Sequence, residues 1–577
     1  MTEPHYNIRS VAIAAVSLAA VGLGLWMLTT PAVPSAVKIE AKGEKKAKRP
    51  STTKKDANAS APLSSEAAAV TRVPPAKTGT EEKLQPVDQE ASQKVSEKDP
   101  ATLAKEYKTQ GNRLFGETKY AEAIEFYTKA IEVSSKEAVF YANRAACHAN
   151  LQNHEATVKD CDAALAIDPR YIKAIYRRAQ AYSSMKKLDL ALNDYTAICM
   201  LEEFKKESSI TTTDRVLKDL GTAKATEAWK SKVIRFPSDT FVKAYMESFR
   251  PKNFGASIVA GFPSELAGDA LLAKSYEAIV AKDWASAMSI LDEALAAEMS
   301  ENVRAFALNT KATFSFLKGD ISLSMDLLDQ SLAIDPNNMN TLIKRASIFM
   351  ERQDLETALQ EYQRAETINP KDPDLYYHRG QVRFLTGDVA AAIKDYKKSL
   401  ELDNEFVYGH IQLAVAMYKN DDQTGAEKTF VKALRKFSHI PEVYNYYGEV
   451  LLDQQRFDEA LKNFDKAISM DGTSPLPYIN KSILFLQYKG DPVQAEQLCR
   501  KAAEVDPTCD IAFIQLAQLL IHQNRLEEAL GAYDAAINVT RTEPELVNAI
   551  SCREACAAQL HVSKQFPDVY ARLRMAG

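Results

Sequence analysis

The chain repeats itself every 34 residues, and a period of that length leaves few folds open. Gly111, Ala145 and Ala179 are 34 apart, as are Tyr127, Cys161 and Tyr195, while Ala130, Ala164 and Ile198 mark a third register and Asp168-Pro169 closes the second unit. The frame returns downstream in Ala358, Ala392, Ala426 and Ala460, in Tyr362, Tyr396, Phe430 and Phe464, and in Ala365, Ser399, Ala433 and Ala467. Units therefore start near 104, 138 and 172, and again near 305, 339, 373, 407 and 441. Looser copies start near 268, 476 and 510, and the 476 unit carries one extra residue around Gly490-Asp491-Pro492. A unit this short cannot enclose a core alone, so it must bury its apolar face against the next.

A small residue at positions 8 and 20, an aromatic at 24, Ala at 27 and Pro at 32 make up the tetratricopeptide pattern. Each unit is then two antiparallel helices, and the units stack into a superhelix whose concave surface is lined by the first helix of each pair. The expected fold class is all-α: a tetratricopeptide-repeat superhelix of about eleven repeats, with an N-terminal transmembrane helix. Residues 543–574 read as solvating helices that cap the stack. A chain of 577 residues would ordinarily imply several domains, but a solenoid grows by addition.

The N-terminus departs from the period. From Val11 to Leu28 run 18 residues without a charge, close to the roughly 20 that span a bilayer. A cleavable secretory signal is the competing reading, with small residues between Ala32 and Ala36 for cleavage. Charge favours the anchor: only Arg9 precedes the run, offset by Glu3, whereas Lys38, Lys42, Lys45, Lys46, Lys48, Arg49, Lys54 and Lys55 follow it. By the positive-inside rule the large C-terminal part then stays on the cytosolic side. The organisation expected is a short tail at 1–10, the anchor at 11–30, a disordered basic tether at 31–99, three repeats at 100–203, an irregular helical connector at 204–266 and about eight repeats with capping helices at 267–577.

Five polar residues occupy first helices of the three N-terminal units: Lys108 and Asn112, Asn143, and Lys173 and Arg177. Lys173 and Arg177 are like charges one turn apart, an arrangement that weakens an isolated helix by a few tenths of a kcal/mol. An anion docked between them would remove the repulsion, and two asparagines nearby could donate to its remaining oxygens. Any one of the five alone would read as a solvated surface residue. Five placed together on concave faces read as a grip for carboxylates.

The blocks KTQGNRLF, FYANRAACH and YIKAIYRRAQAY resemble the dicarboxylate-clamp repeats of chaperone-binding proteins, and all five clamp positions are present without substitution. The anchor, the basic tether, the segment IRFPSDTFVKAYMESF and the downstream motifs YYHRGQ and ALRKF extend the resemblance to the preprotein-receptor family of the outer mitochondrial membrane translocase. That resemblance implies binding of the acidic C-terminal tails of the seventy- and ninety-kilodalton heat-shock chaperones. It also implies hydrophobic mitochondrial preproteins such as inner-membrane carriers as clients, the other translocase subunits as partners, and a single-pass outer-membrane topology with the N-terminus in the intermembrane space. The alternative is a membrane-tethered co-chaperone or scaffold at the endoplasmic reticulum or a plastid envelope.

For the client, inner positions of the downstream first helices offer an apolar and aromatic groove that includes Tyr377, Tyr408, Ile411, Val415, Tyr418, Asn445 and Glu449. Such stripes are more often core than groove. No P-loop, GxSxG, HExxH or zinc-spaced Cys/His cluster occurs, so neither an enzyme nor a cofactor or metal is expected. A formal net charge of −5 with interleaved signs carries no nucleic-acid signal, and the seven scattered cysteines suit reduced, buried thiols.

Overall fold

The computed structural model describes residues 99–577 except 234–235, 251–265, 353 and 577. The expected membrane anchor and tether lie outside those residues. Among the described residues there are 26 α-helices and no strand, and no helix is long and apolar enough to cross a membrane.

Eleven antiparallel pairs carry the period. The first three are α1 (Pro100–Gly116) with α2 (Tyr120–Val133), α3 (Ala138–Asn150) with α4 (His154–Ile167), and α5 (Ile172–Ser184) with α6 (Leu188–Leu201). A long helix α7 (Glu207–Trp229) and a short one α8 (Asp239–Glu247) follow. The pairing resumes with α9 (Ala267–Val280) and α10 (Trp284–Ala296), α11 (Glu301–Leu317) and α12 (Ile321–Ile334), α13 (Met339–Glu351) and α14 (Leu355–Ile368), and α15 (Pro373–Leu385) and α16 (Val389–Leu402). It continues through α17 (Val407–Lys419) and α18 (Gln423–Lys436), α19 (Pro441–Asp453) and α20 (Phe457–Met470), α21 (Leu476–Leu484) and α22 (Pro492–Val505), and α23 (Asp510–His522) and α24 (Leu526–Val539). Two helices end the chain, α25 (Glu543–Gln565) and α26 (Pro567–Ala576).

Within a pair, the fully described turns are built alike. One residue takes a positive φ, as at Gln152, Lys282, Gly319, Gly387 and Asp421, which reverses the chain. The next residue in many units is an Asp or Asn that caps the second helix: Asp283, Asp320, Asp354, Asp388 and Asp422 accept from backbone N–H groups at 2.8–3.1 Å. Each such cap satisfies an orphan donor and places a negative charge at the helix N-terminus. The extra residue of the 476 unit is absorbed where α21 runs into a π-helical turn, Phe485–Lys489, closed by Gly490 at φ 60°.

Packing explains the small-and-aromatic signature. A Cβ at Gly111, Gly380 or Gly448 would sit 2.8, 2.8 or 2.6 Å from a ring carbon of Tyr127, Tyr396 or Phe464, so position 8 must be small where the ring at 24 lies flat on it. Tyr362, Tyr396, Phe430 and Phe464 are fully buried, each worth about 1.5–3 kcal/mol in apolar burial. A second periodic device is an ion pair 16 residues apart: Arg144 grips Asp160 at 2.7–2.8 Å, Arg178 grips Asp194 at 2.7–2.8 Å, and Arg379 grips Asp395 at 2.9 Å. These bidentate pairs tie the first helix of a unit to its second.

The chain's end is not a solvated cap as expected. α25 buries Leu546, Ala549, Ile550 and Val562 and packs against both α24 and α7. α7 and α25 approach so closely that a Cβ at Gly221 would lie 2.0 Å from Ser551 Oγ. Lys224 pairs with Glu554 at 2.7 Å across the same junction, and Arg170, before α5, pairs with Asp568 of α26 at 2.6 Å. The apolar residues of α25 lie on two sides rather than in one stripe, so no single face announces burial in the sequence. The downstream superhelix also closes on itself: a Cβ at Gly319 would stand 2.7 Å from the Arg541 carbonyl oxygen.

Candidate functional site

α1, α3 and α5 stand side by side and carry the five expected binding residues. Asn112 and Lys173 are exposed, whereas Lys108, Asn143 and Arg177 are half-buried. Asn143 Nδ2 donates to Asn112 Oδ1 at 3.2 Å, and the Tyr127 hydroxyl donates to the same oxygen at 2.8 Å. Two donors thus commit the Asn112 carbonyl and leave its amide N–H groups for a ligand. The period marks Tyr127 only as a packing aromatic; its hydroxyl's role shows only once Asn112 is placed beside it.

Arg177 and Arg178 are neighbours in sequence with opposite surroundings. Arg178 is saturated, by Asp194 on one side and by Asp162 at 2.6 Å on the other. Arg177 Nη1 is buried and has no hydrogen-bond partner. Among the described residues, Lys108, Lys173 and Arg177 make no ion pair, so three cationic side chains on adjacent inner helices are left without a carboxylate. Beneath them lie Tyr127, Cys147 and Cys161. Burial pushes the Tyr127 hydroxyl up to about 12, the Cys147 thiol up to about 11 and the Cys161 thiol up to about 12, against the pull of the Arg177 charge on each. The floor is therefore uncharged at neutral pH, and the charge of Arg177 has no counter-ion there. A buried donor without a partner costs about 1–3 kcal/mol, a penalty that an incoming carboxylate removes.

Tyr127→Phe deletes one donor to Asn112 while keeping the ring that packs on Gly111. The expected result is a three- to tenfold loss of acidic-tail affinity, about 1 kcal/mol, with an unchanged unfolding midpoint. Calorimetry with a short peptide ending in two or more carboxylates measures it.

The seven groove residues expected downstream do not form one surface. Tyr377, Ile411 and Val415 are buried to 1% exposure or less, in the packing between helices. Tyr418 is partly exposed and donates to Asp453 at 2.8 Å. Tyr408 and Asn445 line a cleft of about 160 Å³ between α8 and the repeats from α17 to α24, together with Lys243, Glu247, Glu442 and Arg541. The cleft's charged lining comes largely from helix starts and inter-helix loops, which inner-position counting does not sample.

Glu449 is fully enclosed with Asn445 and Asn480, whose amides donate to its Oε1 at 2.8 and 2.7 Å. Burial pushes its carboxyl from 4.5 up to about 7 against those hydrogen bonds. The folded chain therefore holds a proton that the unfolded chain releases between these values, and stability falls as pH rises through that window, by about 3 kcal/mol in all. Glu449→Gln removes the charge, so it should raise stability above pH 7 by as much as about 3 kcal/mol and change little below pH 5. Thermal unfolding at pH 5 and pH 8 reads both limbs.

Comparison with known proteins agrees with the repeat frame. Tetratricopeptide-repeat models match residues 346–387, 373–406, 441–474 and 486–551. The human mitochondrial import receptor subunit TOM70 is 32% identical over 488 residues, covering 80% of this chain and 80% of the relative. The Saccharomyces cerevisiae protein of the same name is 27% identical over 530 residues, covering 84% and 85%. The crystal structure of yeast Tom70 superposes with a TM-score of 0.50 at 27% identity, over 82% of this chain and 99% of that one. By this extent of identity over four-fifths of both chains, the chain belongs to the TOM70 family of mitochondrial import receptor subunits.

Proposed function

We propose that this chain is an import receptor of the outer mitochondrial membrane that docks cytosolic heat-shock chaperones by their acidic C-terminal tails and accepts hydrophobic preproteins for transfer to the import pore. The observation that carries the docking half is Arg177, whose Nη1 is buried and unpartnered, set beside Lys173 and Lys108, with no carboxylate paired to any of the three among the described residues. Lys108, Lys173 and Arg177 bind tail carboxylates, and Asn112 and Asn143 hydrogen-bond the terminal carboxylate and the peptide backbone. A few charge-assisted hydrogen bonds at about 1.5–3 kcal/mol each, less the entropy of ordering a flexible tail, give affinities of roughly micromolar strength. That suits hand-over rather than permanent assembly.

The clefted inner face of the repeats from α17 to α24 is the candidate client surface, with Tyr408 and Asn445 on it. In this reading residues 11–30 anchor the chain in the membrane with the repeats in the cytosol, residues 31–99 are the tether, 100–203 hold the chaperone and 267–577 hold the client. Residues 1–60 fused to a fluorophore should localise to the mitochondrial outer membrane, with the fluorophore open to added protease in intact mitochondria. Targeting to the endoplasmic reticulum, or protection of the fluorophore, would sink the assignment of organelle or of orientation.

A further inference from the structure

The described part of the segment that leads from α7 to α9, Phe236 to Arg250, lies across the concave face, where client binding is proposed, and is held there by specific contacts along its whole length. Asp239 Oδ1 accepts from Trp284 Nε1 at 2.7 Å, and Phe236 packs on Trp284 and Phe314 at 6.1 and 5.9 Å between ring centres. The Arg541 guanidinium sits 3.9 Å over the Phe241 ring. Glu247 accepts from the Tyr408 hydroxyl at 2.7 Å, and Lys243 reaches Glu442 at 3.5 Å. Val242, Tyr245, Phe249 and Arg250 are buried.

Arg250 makes the deepest contacts. Its guanidinium pairs with Asp374, donates to Asp403 at 2.7 Å and to Ser399 at 2.9 Å, and lies 4.2 Å from the centre of the Phe406 ring. Phe249 stacks on His378 at 4.3 Å. One short element thus touches repeats from α10 to the loop before α25. It presents Phe241 and Tyr245 one turn apart on the helix and Phe249 just past the helix end, followed by an arginine that enters an acidic pocket. This is how an amphipathic helix docks in a groove, except that here groove and helix belong to one chain.

We propose that this strap is a built-in competitor for the inner face of the downstream repeats, and that the partner segment which displaces it copies its chemistry: a short helix with aromatic residues four apart and a terminal arginine for Asp374 and Asp403. The proposal rests on the receptor reading of this face. Because the strap is tethered, it occupies the face at high effective concentration, and a ligand's apparent affinity is reduced by the fraction of time the face is open.

The probe is a fluorescein-labelled peptide of residues 236–250, followed by anisotropy on the full chain in detergent. Arg250→Ala, which weakens the strap in cis, should tighten binding of the wild-type peptide by roughly tenfold or more relative to the unmodified chain. A peptide carrying Tyr245→Ser and Phe249→Ser should not bind. A second variant removes no buried side chain: Lys243→Cys with Glu442→Cys, bridged by a bis-methanethiosulfonate tether, should exclude the peptide until reduction cleaves the tether. Equal peptide binding to the unmodified, Arg250→Ala and tethered chains would overturn the proposal. A urea-unfolded inner-membrane carrier separates it from the reading on which it rests. If the carrier binds tethered and reduced chains alike, the strap is only structural and the receptor reading stands. If it binds neither while the peptide binds after reduction, the strap stands and the client assignment fails.

Discussion

Arg177→Ala should lower the affinity for an acidic C-terminal tail by about 100-fold, roughly 3 kcal/mol, with no loss of thermal stability. The magnitude follows from what the side chain can offer a carboxylate: a planar fork with its Nη1 unpartnered, near Lys173 of the same helix and Lys108 of α1, none of the three ion-paired among the described residues. The absence of a stability cost follows from the same fact. Nothing in the folded chain accepts a hydrogen bond from that Nη1, so deleting it strands no partner, and alanine is the better helix former. Arg177→Lys keeps the charge but not the fork and should fall between. Titration calorimetry and a thermal melt on the same samples decide it: unchanged tail binding would mean that the five residues are surface charge, and a large fall in the melting midpoint would mean that Arg177 is structural. Raising salt should weaken the wild-type interaction and narrow the gap to the variant, because part of the attraction is screened Coulomb energy.

Asp395→Ala should cost about 3–5 kcal/mol of stability and leave tail binding untouched. Asp395 is 4% exposed and accepts from Arg379 Nε and Nη2 at 2.9 Å and from Arg383 Nη1 at 2.8 Å. Removing it leaves the Arg379 guanidinium, itself buried, with Glu366 alone and strips Arg383 of this partner. Breaking one side of a buried pair is costly because the surviving charge has lost its solvent as well as its partner. Since each repeat touches chiefly its neighbours, the damage should centre on the units around α15 and α16 and stay away from α1 to α5. Urea unfolding measures the loss and calorimetry with the tail peptide serves as the control. A loss under about 1 kcal/mol would show that water reaches Arg379 and replaces the pair.

How much of this could be read from residues alone differs from element to element. The eleven pairs were legible because a small residue at 8 recurs against a ring at 24 in most units, and even the surplus residue near Gly490 announced a local irregularity, realised as the π-helical turn. That the five expected binding residues are neighbours was legible for the same reason: equal spacing places α1, α3 and α5 side by side, so positions on their inner faces meet in space. What spacing could not supply was the difference between Arg177 and Arg178. Both are arginines on one helix, and only the carboxylates 16 residues away in each direction reveal which is structural. Ile411 and Val415 show the converse. Their positions read as inner groove, yet they are fully buried, because adjacent first helices pack against each other as well as lining the concave face.

The sequence by itself determined the repeat and the stacking order, since both depend on contacts within one unit or between adjacent units. Only the tertiary structure decided what covers the remaining faces. Arg250 meets Asp374 across 124 residues, and Arg170 meets Asp568 across 398. Periodicity shows that a helix face is apolar but carries no information about which distant face removes it from water. That choice falls to the superhelical turn, which brings α25 back onto α7 and leaves a concave surface that the strap from Phe236 to Arg250 can fill.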